Sequence, residues 1–138
     1  MTSTVVYEGD LRTICTHVAS GNSFETDAPT DNNGKGERFS PTDLMATSLG
    51  TCMLTVMGIK ARSQGFDLTG IKVEIEKLMK LNPRRVGTIN VTFHIPATLK
   101  TLDDDKVNVL KHTGIHCPVQ LSLHPDIEVN INWGAWSE

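Results

Sequence analysis

The sequence has few cysteines, no excess of basic residues and no apolar leader, and each absence excludes a class of protein. Three cysteines among 138 residues do not form the even-numbered disulfide framework of a small secreted domain. A net charge of −3 gives no electrostatic footprint for nucleic acid or for an anionic membrane. No apolar segment follows Met1, so we expect a cytoplasmic protein, in which thiols stay reduced unless they are catalytic or redox-sensing.

Two kinds of binding site are also missing from the residue pattern. The histidines are scattered and lack the paired ligand spacing of a zinc site: His17, His94, His112, His116 and His124. The loop of residues 28–38 contains Gly34-Lys35-Gly36, but no Ser or Thr follows the lysine as in a phosphate-binding loop. A surface loop is the simpler interpretation, and we expect neither a metal nor a bound cofactor.

The remaining composition is typical of one globular domain. With 38% apolar and 21% charged residues, the chain is able to bury a substantial core and is not disordered. It has no internal repeat and no linker long enough to divide it. We therefore expect a single domain over residues 1–138 that binds neither nucleic acid nor a membrane.

One stretch, residues 40–65, predicts a long helix around which the other elements are arranged. Ser40 suits the N-cap, Pro41 the first helical position, and Asp43 the positive end of the helix dipole. Gly65 suits the left-handed residue that follows a helix end. Steps of three and four place five residues on one face: Met45, Leu49, Cys52, Val56 and Ile59.

This helix is apolar on more than one side. Leu44, Met53 and Met57 widen the apolar face until one small domain can hardly cover it. Small residues, among them Gly50 and Gly58, would let a second element approach closely. The pattern therefore predicts an obligate homodimer.

The flanking segments carry strand and turn signals. Residues 2–26 give three short strands, which favours an antiparallel meander. Residues 70–96 give two strands joined by a turn, which predicts a hairpin. Two helices between residues 103 and 123 precede a closing strand at 127–133. This order predicts an α+β fold, with antiparallel sheets packed on the long central helix.

Cys117 and Cys52 are the candidates for thiol chemistry. Cys117 precedes Pro118 at a helix start, where free N–H groups and the dipole lower a thiol pKa, so we expect it to be the more acidic thiol. Cys52 lies about three turns inside its helix and would need a cation from elsewhere to form a thiolate. Because cysteine is among the most buried residue types, a structural role stays open for both, and is expected of Cys15 in its strand.

Two arginines, Arg12 and Arg38, are candidates to supply this cation through tertiary folding. Asp43 is a poor partner for the thiol, since it lies nine residues before Cys52. At about 100° per residue, that spacing places the two on opposite faces of the helix. We therefore expect Asp43 to be a cap.

Three segments resemble the motifs of a known family. Residues 40–53, SPTDLMATSLGTCM, resemble a motif in which a proline, an acidic residue and a leucine precede a small-residue-rich helix with a cysteine. Residues 116–123, HCPVQLSL, resemble its second cysteine motif, and residues 7–12, YEGDLR, its early strand turn. Together they look like the OsmC/Ohr superfamily of osmotically inducible and organic hydroperoxide resistance proteins, over nearly the whole chain.

The resemblance implies an OsmC-like α+β fold, two chains intertwined as a homodimer, and peroxidase chemistry in the defence against oxidative stress. It also implies that Cys52 is the peroxidatic cysteine, that Cys117 is the resolving one, and that an arginine assists. The family's glutamate, directly after the proline, corresponds to Thr42 here, and the acid stands one residue later at Asp43. Arg12 fits the family's turn, and Arg38 lies nearer to the helix.

The leading hypothesis is a thiol-dependent peroxidase for organic hydroperoxides. Cys52 would be oxidised, Cys117 would form a disulfide with it, and an external dithiol would reduce the pair. Apolar walls from Met45, Leu49 and Met53 would suit an organic substrate. The alternative is a non-enzymatic dimer that binds a small apolar or electrophilic molecule in the same pocket.

Overall fold

A computed structural model describes residues 1–137, and the chain divides into two compact units, Met1–Met45 and Ala46–Glu138. The first unit holds β1 (Ser3–Gly9), β2 (Arg12–His17) and β3 (Ser23–Asp27). The second holds β4 (Lys72–Lys80), β5 (Arg85–His94) and β6 (Glu128–Asn132). The helices are α1 (Pro41–Ser63), which runs from the first unit into the second, α2 (Asp104–Ile115) and α3 (Pro118–Ser122). Two three-stranded sheets with helices confirm the α+β class.

The first unit is an antiparallel meander, as predicted. β1 pairs with β2, and β2 pairs with β3. The turn after β1 uses Gly9, Asp10 and Leu11, all of which have positive φ. Because this turn is tight, β2 starts at Arg12, directly opposite Asp27 on β3.

Apolar side chains of the first unit are exposed on both faces of β1. Val5, Val6 and Tyr7 expose 63%, 54% and 64% of their surface. Because successive strand residues point to opposite faces, Val6 lies on the other side of the sheet from Val5 and Tyr7. Among residues 1–137, none covers either face of this strand at Val5, Val6 or Tyr7.

The long helix has the ends that the sequence predicts. The Ser40 hydroxyl accepts from the Asp43 N–H at 3.0 Å, and the Asp43 carboxylate accepts from the Ser40 N–H at 2.9 Å. This reciprocal pair is a capping box in which aspartate replaces the usual glutamate. At the other end Gly65 has a φ of 85°, and the Phe66 N–H donates to the Ala61 carbonyl at 3.1 Å. The expected role of Asp43 as a cap is confirmed.

The buried face of α1 differs from the predicted one. Its buried residues are Ala46, Leu49, Gly50, Met53, Met57 and Ala61. Met45 and Ile59, which were expected on the buried face, expose 36% and 64% of their surface. The spacing of the apolar residues did not identify the buried face, because the helix is apolar nearly all round. By length and composition α1 is able to span a membrane, and its buried side lies in the core of the second unit.

The second sheet contains the predicted hairpin and one unexpected pairing. β4 and β5 are antiparallel, with Val73 opposite Phe93. β6 pairs with β5 in parallel, with Val91 opposite Ile131, so the expectation of purely antiparallel sheets is wrong here. The reason is the connection between them, because α2 and α3 return the chain to the end of the sheet where β5 begins.

One hydrophobic core holds the second unit together. It includes Ile89 and Phe93 of β5, Met53 and Met57 of α1, and Leu110 of α2. All five side chains are at most 1% exposed. Since such a core is close-packed, it fixes how α2 lies on α1 and thus positions Cys52 in α1 and Cys117, which follows α2.

Candidate active site

Cys52 and Cys117 approach each other in the second unit. Cys52 is half-buried in the middle of α1, whereas Cys117, between α2 and α3, is 1% exposed. Both are free thiols, and they lie close enough that a hydrogen bond with Cys52 raises the pKa of Cys117. The two cysteines selected from the sequence are therefore in contact.

Cys117 is the N-cap of α3, as its position before Pro118 predicts. The Gln120 N–H donates to Cys117 Sγ at 3.4 Å. Nevertheless, burial raises the pKa of the Cys117 thiol, and its hydrogen bond with Cys52 raises that pKa further. The prediction that Cys117 is an unusually acidic thiol is therefore wrong. The cost of removing a thiolate from water outweighs the Gln120 and Val119 N–H donors at the start of this five-residue helix.

The raised pKa of Cys117 predicts a pH dependence for its alkylation. Only the thiolate reacts, so a small alkylating reagent should modify Cys117 slowly at neutral pH. Its rate should keep rising above the ordinary thiol pKa of about 8.5. The Cys52→Ser variant is used for the measurement, because it keeps the burial, which is the largest cause of the shift. Peptide mapping across this pH range checks the prediction, and a rate that levels off below the ordinary thiol pKa would contradict it.

The raised pKa of Cys117 also makes the stability of the fold depend on pH. A thiol that keeps its proton in the folded state, at a pH where the unfolded chain has lost it, destabilises the fold as pH rises. The Cys117 contribution is therefore fully present below the unfolded thiol pKa and is lost as pH rises toward the raised folded pKa.

Arg12 is bound by carboxylates of its own unit. Its Nε and Nη2 donate to the two oxygens of Asp27 at 2.7 and 2.8 Å, and Nη2 also donates to Glu37 at 3.0 Å. The Asp27 side chain is 1% exposed and also accepts from the Glu37 N–H. Hydrogen bonding to Arg12 lowers the pKa of Asp27, and the same bonds raise the pKa of Arg12. Arg12 thus links β2, β3 and the following loop in one fixed orientation.

Arg38 is bound more loosely. Its side chain is 46% exposed, with Nε donating to Glu25 at 3.2 Å and Nη1 to the Glu37 carbonyl at 3.0 Å. Neither Asp27 nor Glu37 was predicted from the sequence to be the partner of an arginine. Asp27 could have been found as a partner of Arg12, because it directly follows the third strand of the predicted meander. In an antiparallel pair, the end of that strand lies beside the start of the second strand.

The expected acid and substrate walls have other roles in the fold. One carboxylate oxygen of Asp43 accepts in the α1 cap, and the Thr42 hydroxyl lies 3.3 Å from the Ser40 hydroxyl. Leu49 and Met53 are 0% exposed, so both belong to the core and are inaccessible to a bound molecule.

A cavity of about 550 Å³ lies toward the C-terminal end of α1. Ile59, Arg62 and Phe66 are among the residues that line it, and neither Cys52 nor Cys117 does. It is therefore separate from the thiol pair.

Cys15 and His116 each lie against residues of their own unit. Cys15 lies in β2, opposite Val5 on one side and Phe24 on the other. His116, beside Cys117, is hydrogen-bonded through Nδ1 to the His112 carbonyl at 2.8 Å. Within residues 1–137, no group of three or more His, Cys, Asp or Glu side chains is placed to hold a metal ion.

A sequence profile supplies the family to which this fold and cysteine pair correspond. The profile of OsmC-like proteins matches residues 34–132, a range that includes both Cys52 and Cys117. The chain belongs to the OsmC-like protein family. No curated protein matches the sequence.

Solved structures show the same fold. A Psychrobacter arcticus protein, named for osmotic stress induction and a detoxification response, is 47% identical to the OsmC-like protein, with a TM-score of 0.90 over 96% of this chain and 94% of that one. An organic hydroperoxide resistance protein OsmC from Legionella pneumophila is 15% identical, with a TM-score of 0.72 over 96% of each chain. One from Elizabethkingia anophelis is 14% identical, with a TM-score of 0.70 over 96% of this chain and 94% of that one. The OsmC-like fold predicted from the sequence is confirmed.

Proposed function

We propose that this OsmC-like protein is a thiol-dependent peroxidase that reduces organic hydroperoxides through Cys52 and Cys117 in the defence against oxidative stress. The observation that carries the proposal is the contact between a half-buried and a buried free thiol in one unit. Such a pair is able to cycle between dithiol and disulfide. Proteins of the same fold from Legionella pneumophila and Elizabethkingia anophelis are named for organic hydroperoxide resistance, which supports the substrate class.

The first step oxidises Cys52. Its thiolate attacks the terminal oxygen of the hydroperoxide, so that an S–O bond forms and the O–O bond breaks. The leaving alkoxide takes a proton and departs as the alcohol, and Cys52 becomes a sulfenic acid. Two observations favour Cys52 for this step: it is the more exposed thiol, and it raises the pKa of its neighbour, which leaves the proton on Cys117.

The second step joins the two cysteines. Cys117 loses its proton and attacks the sulfur of Cys52, so that an S–S bond forms, the S–O bond breaks and the hydroxyl group leaves as water. The raised pKa of Cys117 makes its thiolate scarce. The contact between the thiols offsets this scarcity, because a thiolate held next to the Cys52 sulfur has a very high effective concentration.

The third step restores the thiols with an external dithiol. The reductant attacks Cys52, because Cys117 is 1% exposed. The S–S bond breaks, and Cys117 leaves as a thiolate that the Gln120 N–H stabilises. The second thiol of the reductant then displaces Cys52, and the reductant ends as a disulfide.

A single-turnover experiment tests the proposal. Reduced protein treated with one equivalent of tert-butyl hydroperoxide should yield the alcohol and a Cys52–Cys117 disulfide, detected by peptide mass spectrometry. Excess dithiothreitol should then sustain turnover. If the hydroperoxide is not consumed and no disulfide forms, the protein is not a peroxidase, and a non-enzymatic dimer that binds a small apolar or electrophilic molecule becomes the better account.

The functional form in this proposal is a homodimer. Contiguous exposed apolar side chains mark interaction surfaces, and Val5 and Tyr7 lie next to each other on one face of β1. Ile59 on α1 is also 64% exposed, on the helix whose apolar surface predicts a partner.

A charge placed on β1 should dissociate this dimer. Val5→Glu is expected to weaken dimerisation at least about tenfold, since it buries an unpaired carboxylate at the interface. Ser3→Glu adds the same charge two residues away on the same face, at an exposed polar position, and is the matched control. Sedimentation velocity over a concentration series checks both variants. A stable folded monomer of the unmodified protein at micromolar concentration would contradict the homodimer.

A further inference from the structure

Gly114 lies where α2 comes very close to α1. A Cβ atom added at Gly114 would lie 2.8 Å from Met57 Sδ, 3.3 Å from Met57 Cγ and 3.5 Å from Met53 Cε. The shortest of these contacts is below the range that real Cβ atoms adopt. Met53 and Met57 are 0% exposed, so either side chain could yield only by repacking within the core. With any other residue at position 114, α2 would have to move outward or the core would have to repack.

Local preference does not explain this glycine. Gly114 is in the last turn of α2 and is buried, and glycine weakens a helix relative to alanine. The turn needs no left-handed residue at this point, because Gly114 is not among the glycines with positive φ. The close approach of the two helices is what requires a residue without a side chain.

Gly114 is also connected directly to the thiol pair. The Cys117 N–H donates to the Gly114 carbonyl at 3.3 Å, so a shift of Gly114 is transmitted to Cys117. On the other helix, Met53 follows Cys52 in sequence. The contact between Gly114 and the two methionines therefore connects the backbone segments that carry the two sulfur atoms.

We propose that Gly114 is a positioning residue whose missing side chain sets the separation of Cys52 and Cys117. The purpose of the disulfide rests on the proposed function, but the geometry that the disulfide requires is the same whichever oxidant forms it. A disulfide requires Cα atoms within about 7 Å and a specific dihedral angle, so a small outward shift of α2 disfavours the bond. Gly114→Ala should therefore leave the first oxidation of Cys52 unchanged and impair formation of the disulfide.

The equilibrium with dithiothreitol measures this geometry without a hydroperoxide. Cys52 and Cys117 lose their two hydrogens and form the S–S bond, while the cyclic disulfide of oxidised dithiothreitol breaks and gains them. Gly114→Ala is expected to shift the equilibrium about tenfold toward the dithiol, since strain from a distorted geometry makes a disulfide easier to reduce. Ile89→Val, a substitution of another fully buried core residue, should shift it little.

A second substitution separates positioning from general destabilisation. Met57→Ala removes the two atoms that the new Cβ would crowd and leaves Met53 Cε at an ordinary contact distance of 3.5 Å. Adding Gly114→Ala to Met57→Ala should therefore change the equilibrium little. This pair of variants also serves if Gly114→Ala alone does not fold. Two results would overturn the proposal: an unchanged equilibrium in Gly114→Ala, or a tenfold shift that persists in the Met57→Ala background. Protein that forms the disulfide with oxidised dithiothreitol, but not with hydroperoxide, would instead contradict the peroxidase function alone.

Discussion

Cys52→Ser is expected to abolish oxidation of the protein by an organic hydroperoxide, because a serine hydroxyl is not an effective nucleophile at neutral pH. No alcohol should form beyond the uncatalysed rate, and Cys117 should stay reduced. Alcohol yield per chain in a single turnover gives the measurement.

Cys117→Ser should have a different effect. The first oxidation should proceed, because it uses Cys52 alone, and one equivalent of alcohol should appear. Without its partner, the Cys52 sulfenic acid should persist or oxidise further to sulfinic acid, both visible by mass spectrometry. Cys15→Ser is the matched control, since Cys15 lies in β2 of the first unit and should affect neither step. If Cys117→Ser blocked the first oxidation while Cys52→Ser did not, the two roles would be reversed.

Replacing one of the two arginines, Arg12 or Arg38, by alanine should slow alkylation of Cys52 at pH 7 by about tenfold or more. The middle of α1 offers a thiolate little help from the helix dipole, so a reactive thiolate there needs a nearby cation. A cation close to a thiol raises the thiolate fraction by about this factor. Alkylation rates mapped to the Cys52 peptide decide which arginine acts.

Asp27→Asn is the control for this experiment, because Arg12 also supports the first unit. It removes the carboxylate charge that binds Arg12 but keeps the guanidinium. If Arg12 acts on the thiol, Asp27→Asn should leave alkylation as fast as in the unmodified protein, or faster. If Asp27→Asn slows it as much as Arg12→Ala does, the loss comes from the fold of the first unit. If neither arginine substitution changes the rate, the activation hypothesis is wrong.

Features set by neighbouring residues were predictable from the sequence. The reciprocal cap of Ser40 and Asp43, the left-handed Gly65 and the N-cap position of Cys117 all depend on residues within one turn. The hairpin was predictable because its turn and alternating strands lie next to each other in the chain. The contact between the two cysteines was implied by family resemblance and not by any local pattern.

Features set by distant residues were not predictable. The parallel pairing of β6 with β5 has no local signal, because strand direction depends on how the intervening helices pack. The raised pKa of Cys117 follows from tertiary burial, which the residues around Cys117 do not reveal. The buried side of α1 was misassigned because Met45 and Ile59 are as apolar as Met53 and Met57. A glycine at position 114, in a predicted helix, was only a weak signal of a close approach. The reason for this glycine appears only where α2 meets α1.

During synthesis on the ribosome, the connection between β5 and β6 stays open until β6 has emerged and paired with β5. Cys117 lies in that connection, so it reaches the ribosome surface before the strand that closes the sheet. Pairings between residues far apart in the chain form late in folding. The second sheet of a growing chain therefore consists of the β4–β5 hairpin alone until β6 has emerged.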